Sequence, residues 1–223
     1  LGLVHTAAFQ PRRARKAYEE GFGLWEPQWS TEETSGGSTP ASVLRFAVEE
    51  PLSLDPGRVG DDISTFITGQ LFQGLVDVDE DYNVLPGMAA RWEVTEEGMR
   101  YVFHLREGLR WSDGTRLTAS DFEYAWKRNL DSATESAVAH LLYAVENARA
   151  FGEGEIGDPD EVGVTALDGR TLEVRLEAPT AYFPHLVAHP VAHPLPRWAV
   201  EAASRGWAES DTMVSNGPYR LVA

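Results

Sequence analysis

The stretch from residue 85 to residue 126 decides the fold. It reads Leu85-Pro-Gly-Met-Ala-Ala-Arg-Trp-Glu-Val94, then Tyr101-Val-Phe-His-Leu-Arg106, Leu109-Arg-Trp-Ser-Asp-Gly-Thr115 and Thr118-Ala-Ser-Asp-Phe-Glu-Tyr-Ala-Trp126. Tyr101, Phe103 and Leu105 alternate with period 2, which predicts a strand with those three on one face. Ser112-Asp113-Gly114 predicts a turn. Thr118 followed three residues later by Asp121 predicts a capping-box helix start, and Phe122, Ala125, Trp126 and Leu130 continue at helical spacing.

Working outward on the C-terminal side, Val138, Leu141, Leu142 and Val145 predict a second helix, followed by the polar, Gly-rich run 152–159. Val162–Leu167 and Thr171–Leu176, joined through Asp168-Gly169, predict a β-hairpin, because Asp-Gly between alternating segments is a strong turn signal. Beyond it come Pro179-Thr-Ala-Tyr-Phe183, a proline-spaced segment from Pro190 to Pro196, a short helix near Trp198, and Ser215-Asn-Gly-Pro-Tyr-Arg-Leu221. On the N-terminal side, Leu75–Val78 predicts a strand and the acidic run Asp79–Asn83 its solvated turn. Ile63, Phe66, Ile67, Gln70 and Leu71 predict a helix capped by Asp61 or Asp62. It follows a turn at Pro51-Leu-Ser-Leu-Asp-Pro56 and an alternating strand at Leu44, Phe46 and Val48.

The first 42 residues have a different character. Ala14, Ala17, Tyr18, Gly21, Phe22 and Trp25 form the stripe of one amphipathic helix. The phrase Ala14-Arg-Lys-Ala-Tyr-Glu-Glu-Gly21 looks like half of a tetratricopeptide-type repeat, which cannot bury its own face. Residues 1–30 therefore read as the end of an upstream helical segment, or alternatively as a leader lying on the main domain. Residues 31–42, rich in Ser, Thr and Gly, read as a flexible linker.

Composition removes several function classes. With 19 Lys and Arg against 35 Asp and Glu, the net charge of −16 repels nucleic-acid phosphates and anionic membranes. The absence of cysteine removes disulfides, thiolate metal sites and cysteine nucleophiles from these residues, and leaves the compartment open. The apolar run at the start is too short to span a bilayer, and its basic cluster follows it, so it does not read as a signal peptide. No direct membrane insertion is expected of this segment.

The order, spacing and residue types of these motifs resemble the solute-binding proteins of peptide ABC importers, the oligopeptide- and dipeptide-binding family 5. The opening strand before Ser-Leu-Asp-Pro, the stretch from 85 to 126, the Asp168-Gly169 hairpin, the proline-spaced segment and Asn216-Gly217-Pro218-Tyr219 all sit in family order, so the resemblance covers about residues 43–223. It implies a mixed α/β fold of the class II periplasmic-binding-protein type. The expected division is a first lobe at 43–70 and 164–223 with a smaller α+β domain inserted at 71–163, the second lobe being missing. The function implied is capture of oligopeptides or dipeptides in a two-lobed cleft, as an extracytoplasmic (periplasmic or cell-surface) component working with an ABC permease and ATPase. The rival reading is the ligand-sensing domain of a cytoplasmic regulatory protein, which an upstream helical domain would favour.

The family resemblance places Val59, Gly60, Asp61 and Asp62 at the cleft, with Asn216 and Gly217 as further ligand-binding candidates. Gly60 would permit close backbone approach and Asp61 would meet a cationic group. The competing reading makes Asp61 and Asp62 helix caps and Gly60 a turn, and both readings can hold together. One departure stands out: where oligopeptide binders often carry a tyrosine after an Asp-x-x-Thr element, this chain has Asp131-Ser-Ala-Thr-Glu-Ser-Ala-Val138, which removes an aromatic wall.

His185, His189 and His193 at i, i+4, i+8 would stack on one helix face as metal ligands, but Pro184, Pro190 and Pro194 break that helix. No metal, cofactor or catalytic residue is expected. The chain has no Gly-x-Ser-x-Gly elbow, His-Glu-x-x-His or phosphate-cradling glycine loop, and pairs such as Glu96–Glu97 or Asp61–Asp62 follow from carboxylate abundance, so a hydrolase is a minor alternative. Trp92, Trp111 and Trp126 read as core residues.

Overall fold

Helix α1 (Asp62–Leu71) begins where Asp61, in extended backbone, accepts a hydrogen bond from the Ser64 amide at 2.8 Å. The structure is a computed structural model and describes residues 50–203, 206–208 and 213–221. The expected helix at 14–25, the linker at 31–42 and the strand at 44–48 lie outside the described residues. All described residues belong to one compact unit, Val48–Ala223.

The inner face of α1 is not the apolar stripe its periodicity suggests. Ser64, Thr68 and Leu71 are buried, Ile63 and Ile67 are half-buried, and Phe66 is exposed. The reason is tertiary: α1 receives the preceding loop through polar contacts, the Ser53 amide donating to Ser64 Oγ at 3.2 Å.

Strands β1 (Val76–Val78) and β2 (Val84–Pro86) pair antiparallel around the acidic turn. Asp79 holds that turn by accepting from the amides of Asp81 and Asn83 at 2.9 and 2.8 Å. Next come β3 (Ala89–Thr95) and β4 (Arg100–Leu105), and then α2 (Ala119–Leu130). The capping box forms as expected, with the Thr118 amide donating to Asp121 Oδ2 at 2.7 Å. The turn before it is also present, the Gly114 amide donating to the Trp111 carbonyl at 2.9 Å.

The helix expected over 138–145 is instead a single 3-10 turn, Ala139–Leu142. Past it, Val145 forms a β-bridge with Leu176, the Glu146 amide donates to the Arg175 carbonyl, and Asn147 takes a left-handed φ of 58°. Pairing with the far strand outcompetes helix propagation there. A short α3 (Ala148–Gly152) follows.

The predicted hairpin is β5 (Val164–Asp168) with β6 (Thr171–Arg175). Its loop residues are Gly169 and Arg170, and Asp168 braces them by accepting from the Arg170 amide at 2.7 Å and from Thr171 Oγ1 at 3.0 Å. The four long strands make one antiparallel sheet in the order β3-β4-β6-β5. This sheet crosses the boundary expected at 163/164, since β3 and β4 lie on one side of it in sequence and β5 and β6 on the other.

Two short helices finish the described chain, α4 (Phe183–Leu186) and α5 (Arg197–Ala203), with a 3-10 turn at Pro190–Ala192 between them. Helix α2 lies against β5 and β6. It buries Phe122, Ala125, Trp126 and Leu130, each large side chain contributing about 1.5–3 kcal/mol. Trp126 is fully buried, donates from its indole to the Ala192 carbonyl at 2.8 Å and meets Phe183 edge-on. Trp111 is also buried, whereas Trp92 is half-buried against Phe103.

Candidate functional site

The loop between Ser53 and Asp62 is held from below by a buried carboxylate. Asp55, 4% exposed, accepts from Arg128 Nη2 at 2.6 Å and from Arg128 Nη1 at 3.1 Å. The same carboxylate accepts from the Gly57 amide at 2.9 Å and from the Trp207 indole at 3.1 Å. A bidentate, charge-assisted pair of this kind fixes position as well as adding energy. Asn129, the next residue of α2, donates to the Val191 carbonyl at 2.8 Å and extends the anchor to the proline-spaced segment. Asp55 is read from the sequence only as part of Ser-Leu-Asp-Pro. Its partner Arg128 lies 73 positions away, and no local pattern links the two.

On this anchor the four first candidates run consecutively. Val59 is fully buried and acts as the plug of the loop. Gly60 is exposed, and a Cβ there would stand 3.4 Å from the Ala137 side chain, so the loop touches the segment 131–138. Asp61 caps α1, and hydrogen bonds from the Ser64 hydroxyl and amide hold its carboxyl below the usual carboxylate range. It therefore carries full negative charge at neutral pH. Asp62 is the exposed first residue of α1.

The facing segment is built from the end of α2. Asp131 caps the 3-10 turn Ser132–Thr134, Thr134 Oγ1 donates to the Arg128 carbonyl, and Glu135 adopts a left-handed φ of 56°. Arg58 and Glu135 approach to 3.5 Å across the two segments, a solvent-screened pair. Sequence reasoning weighed 131–138 for an absent aromatic. Its packing against Gly60 is a tertiary fact with no local signal.

Asn216 and Gly217 sit at the other end of α1, which is roughly 15 Å long at 1.5 Å per residue. The Asn216 side chain donates to the Gln73 carbonyl at 2.9 Å and accepts from its amide at 3.2 Å, copying one rung of a β-ladder. The Gly217 amide donates to Leu71 O at 2.7 Å, and a Cβ on Gly217 would fall 2.5 Å from the Leu71 carbonyl carbon. Both residues line a cavity of about 560 Å³ with Gln70, Gln73 and His193. The structure thus brings Gly60, Asp61 and Asp62 together over the buried Val59 at one end of α1, and keeps Asn216 and Gly217 at the other.

The three histidines part company. His185 Nε2 lies 3.0 Å from the Tyr82 carbonyl, His189 Nδ1 accepts from the Val191 amide at 3.2 Å, and His193 is buried, which drives its pKa down to about 4. Among the described residues no group of three or more His, Asp or Glu side chains is placed to hold a metal ion.

The sequence model of the bacterial extracellular solute-binding proteins, family 5 Middle, matches residues 83–223. The chain belongs to this family. The family 5 chain is 40% identical over 185 residues to the probable deoxycholate-binding periplasmic protein YgiS of Escherichia coli (strain K12), covering 82% of this chain and 34% of that protein. It is 40% identical over 172 residues to the dipeptide-binding protein DppE of Bacillus subtilis (strain 168), covering 77% and 32%. Among solved structures, Haemophilus influenzae OppA in complex with RPPGFSPFR superposes with a TM-score of 0.73 at 36% identity, covering 77% of this chain and 34% of that one. The family 5 chain thus spans about a third of the length of these relatives. The mixed α/β fold agrees with theirs.

Proposed function

We propose that the chain is part of an extracytoplasmic solute-binding protein that captures oligopeptides or dipeptides and delivers them to an ABC permease and its ATPase. Family membership and the resemblance to peptide-binding relatives support this reading. The observation that carries it at residue level is the anchored loop Val59–Asp62. A buried ion pair underneath fastens the loop, and its outer side presents an exposed glycine backbone beside the half-buried, ionised Asp61. Such a surface suits an extended peptide, which offers backbone amides to a close-lying main chain and a cationic group to a carboxylate. Lobe closure on the ligand would then convert binding energy into a state the permease can recognise.

In this reading Gly60, Asp61 and Asp62 face the ligand over the buried Val59, and Asn216 and Gly217 fasten the segment that leaves the lobe. The inserted domain at 71–163 then shares the sheet β3-β4-β6-β5 with the returning first-lobe segment from 164. A second ligand class has one specific observation in its favour, the 40% identity to a probable deoxycholate-binding protein. Calorimetric titration with a defined set of dipeptides and oligopeptides, and separately with deoxycholate, tests both. Saturable heat with peptides, reduced by Asp61→Asn, supports the peptide reading. Saturation by deoxycholate alone overturns it in favour of the amphiphile.

A further inference from the structure

Away from the candidate cleft, a cavity of about 500 Å³ opens between the end of β4, the start of α2 and the tip of the β5–β6 hairpin. Three of its ten lining residues are arginines, Arg106, Arg116 and Arg170. In a chain of net charge −16 this concentration of cations is unexpected. Charges farther off than the screening length of roughly 8–10 Å contribute little at physiological salt, so the field inside is set by the lining itself, three arginines against Glu107 and Asp168.

The donors are unequally committed. Arg106 donates from Nε to the Gly87 carbonyl at 2.7 Å and from Nη2 to the Pro86 carbonyl at 3.3 Å, which fixes the guanidinium while leaving Nη1 unused. Arg170 pairs with Glu107, whose side chain is 85% exposed, and a solvent-screened pair of this type is worth at most about 1 kcal/mol. Arg116 is exposed, and among the described residues its side chain has no ion pair or hydrogen bond. The two carboxylates in the lining are occupied, Glu107 by Arg170 and both oxygens of Asp168 by the hairpin turn. At the N-terminus of α2 the Thr118 amide is taken by Asp121 Oδ2 and the Ala119 amide by the Gly169 carbonyl. Leu109 and the buried Leu117 provide an apolar side.

We infer that this cavity binds a phosphate ester. Guanidinium groups match phosphate oxygens: Arg116 can offer a two-bond fork, Arg106 keeps Nη1, and Arg170 can exchange its exposed Glu107 partner for the anion. The volume greatly exceeds that of a bare ion, given that a water takes about 30 Å³, so the organic part of the ester has room against Leu109 and Leu117. The same chemistry is offered by a free phosphate ester and by the headgroup of an anionic phospholipid.

Calorimetry at physiological salt with glycerol 3-phosphate, and flotation at the same salt with phosphatidylglycerol-containing against pure phosphatidylcholine vesicles, separates the two sources. Arg116→Ala and Arg170→Ala are the test variants, since neither side chain holds the fold together, and Arg149→Ala, on the exposed face of α3, is the control. Saturable binding that weakens about tenfold or more in each test variant but not in the control supports the site, as expected from losing a charge-assisted hydrogen bond. Loss confined to the vesicle arm assigns it to a lipid headgroup, and loss confined to glycerol 3-phosphate assigns it to a free ester. Absence of saturable binding to either probe, or binding equal in all variants, overturns the inference.

Discussion

Replacing Asp55 with alanine removes the carboxylate on which the candidate cleft loop is built. The substitution strands Arg128, whose side chain is only 18% exposed, and leaves the Gly57 amide and the Trp207 indole without their acceptor. Breaking a buried pair by deleting one partner costs about 3–5 kcal/mol, because an uncompensated charge stays behind. For a chain of this size each kcal/mol lowers the melting temperature by about 2–4 °C, so the expected drop is roughly 6–20 °C. Urea unfolding followed by circular dichroism and by tryptophan fluorescence reads the effect. The double variant Asp55→Ala with Arg128→Met should be less destabilised than the sum of the singles by about 2–3 kcal/mol, since no charge is then left unpaired. A single-variant loss below about 1 kcal/mol together with an additive cycle would show that water screens the pair and that the loop is held by something else.

Gly217→Ala should cost about 1–3 kcal/mol in urea unfolding, because the new methyl meets backbone atoms of Leu71 and Phe72 that cannot step aside; unchanged stability would refute the close pairing. Asp61→Asn keeps an acceptor for the Ser64 amide, so the melting temperature should hardly move, while calorimetry should show weaker binding of ligands with a cationic group; equal affinity would leave Asp61 a cap alone. Stability should also fall on acidification. His193 has a folded pKa of about 4 against 6.5 unfolded, so the unfolded chain takes up the proton first as pH drops. The folded state loses about 3 kcal/mol between pH 6.5 and 4 through this group, and His193→Gln should flatten that slope. Burial shifts His189 in the same direction and raises the carboxyl of Asp121, which works the opposite way below neutrality.

What was legible in the sequence was local. The α2 capping box, the Asp61 cap and the Asp168 turn depend on residues within three or four positions of each other, and side-chain oxygens meet nearby amides whatever the rest of the chain does. The run 138–145 shows where local reading stops. Its helical spacing is real, yet Val145 is drawn into a bridge with Leu176, a pairing that spacing cannot encode. In α1 the apolar period matches the buried face only in part: Leu71 is buried and Ile67 packs on the core, but Phe66 is exposed and Ser64 is buried where the loop carrying Ser53 attaches through polar atoms. For the candidate site, Val59–Asp62 are placed by the family resemblance, and only the Asp61 cap is a local reading. The Asp55–Arg128 anchor and the approach of Ala137 to Gly60 depend on distant partners and were not.

The strand order β3-β4-β6-β5 has a consequence for the newborn chain. Tyr101 and Phe103 on β4 pair with Val174 and Leu172 on β6, some seventy residues later. At a synthesis rate of about 5–20 residues per second, β4 waits roughly 4–14 seconds before its second neighbour exists. Until then the β3–β4 hairpin carries an open edge with Phe103 at its centre, and Trp126 on α2 lacks both the Ala192 carbonyl and the Phe183 ring. The architecture therefore sets a clock on how soon the emerging chain can close its sheet.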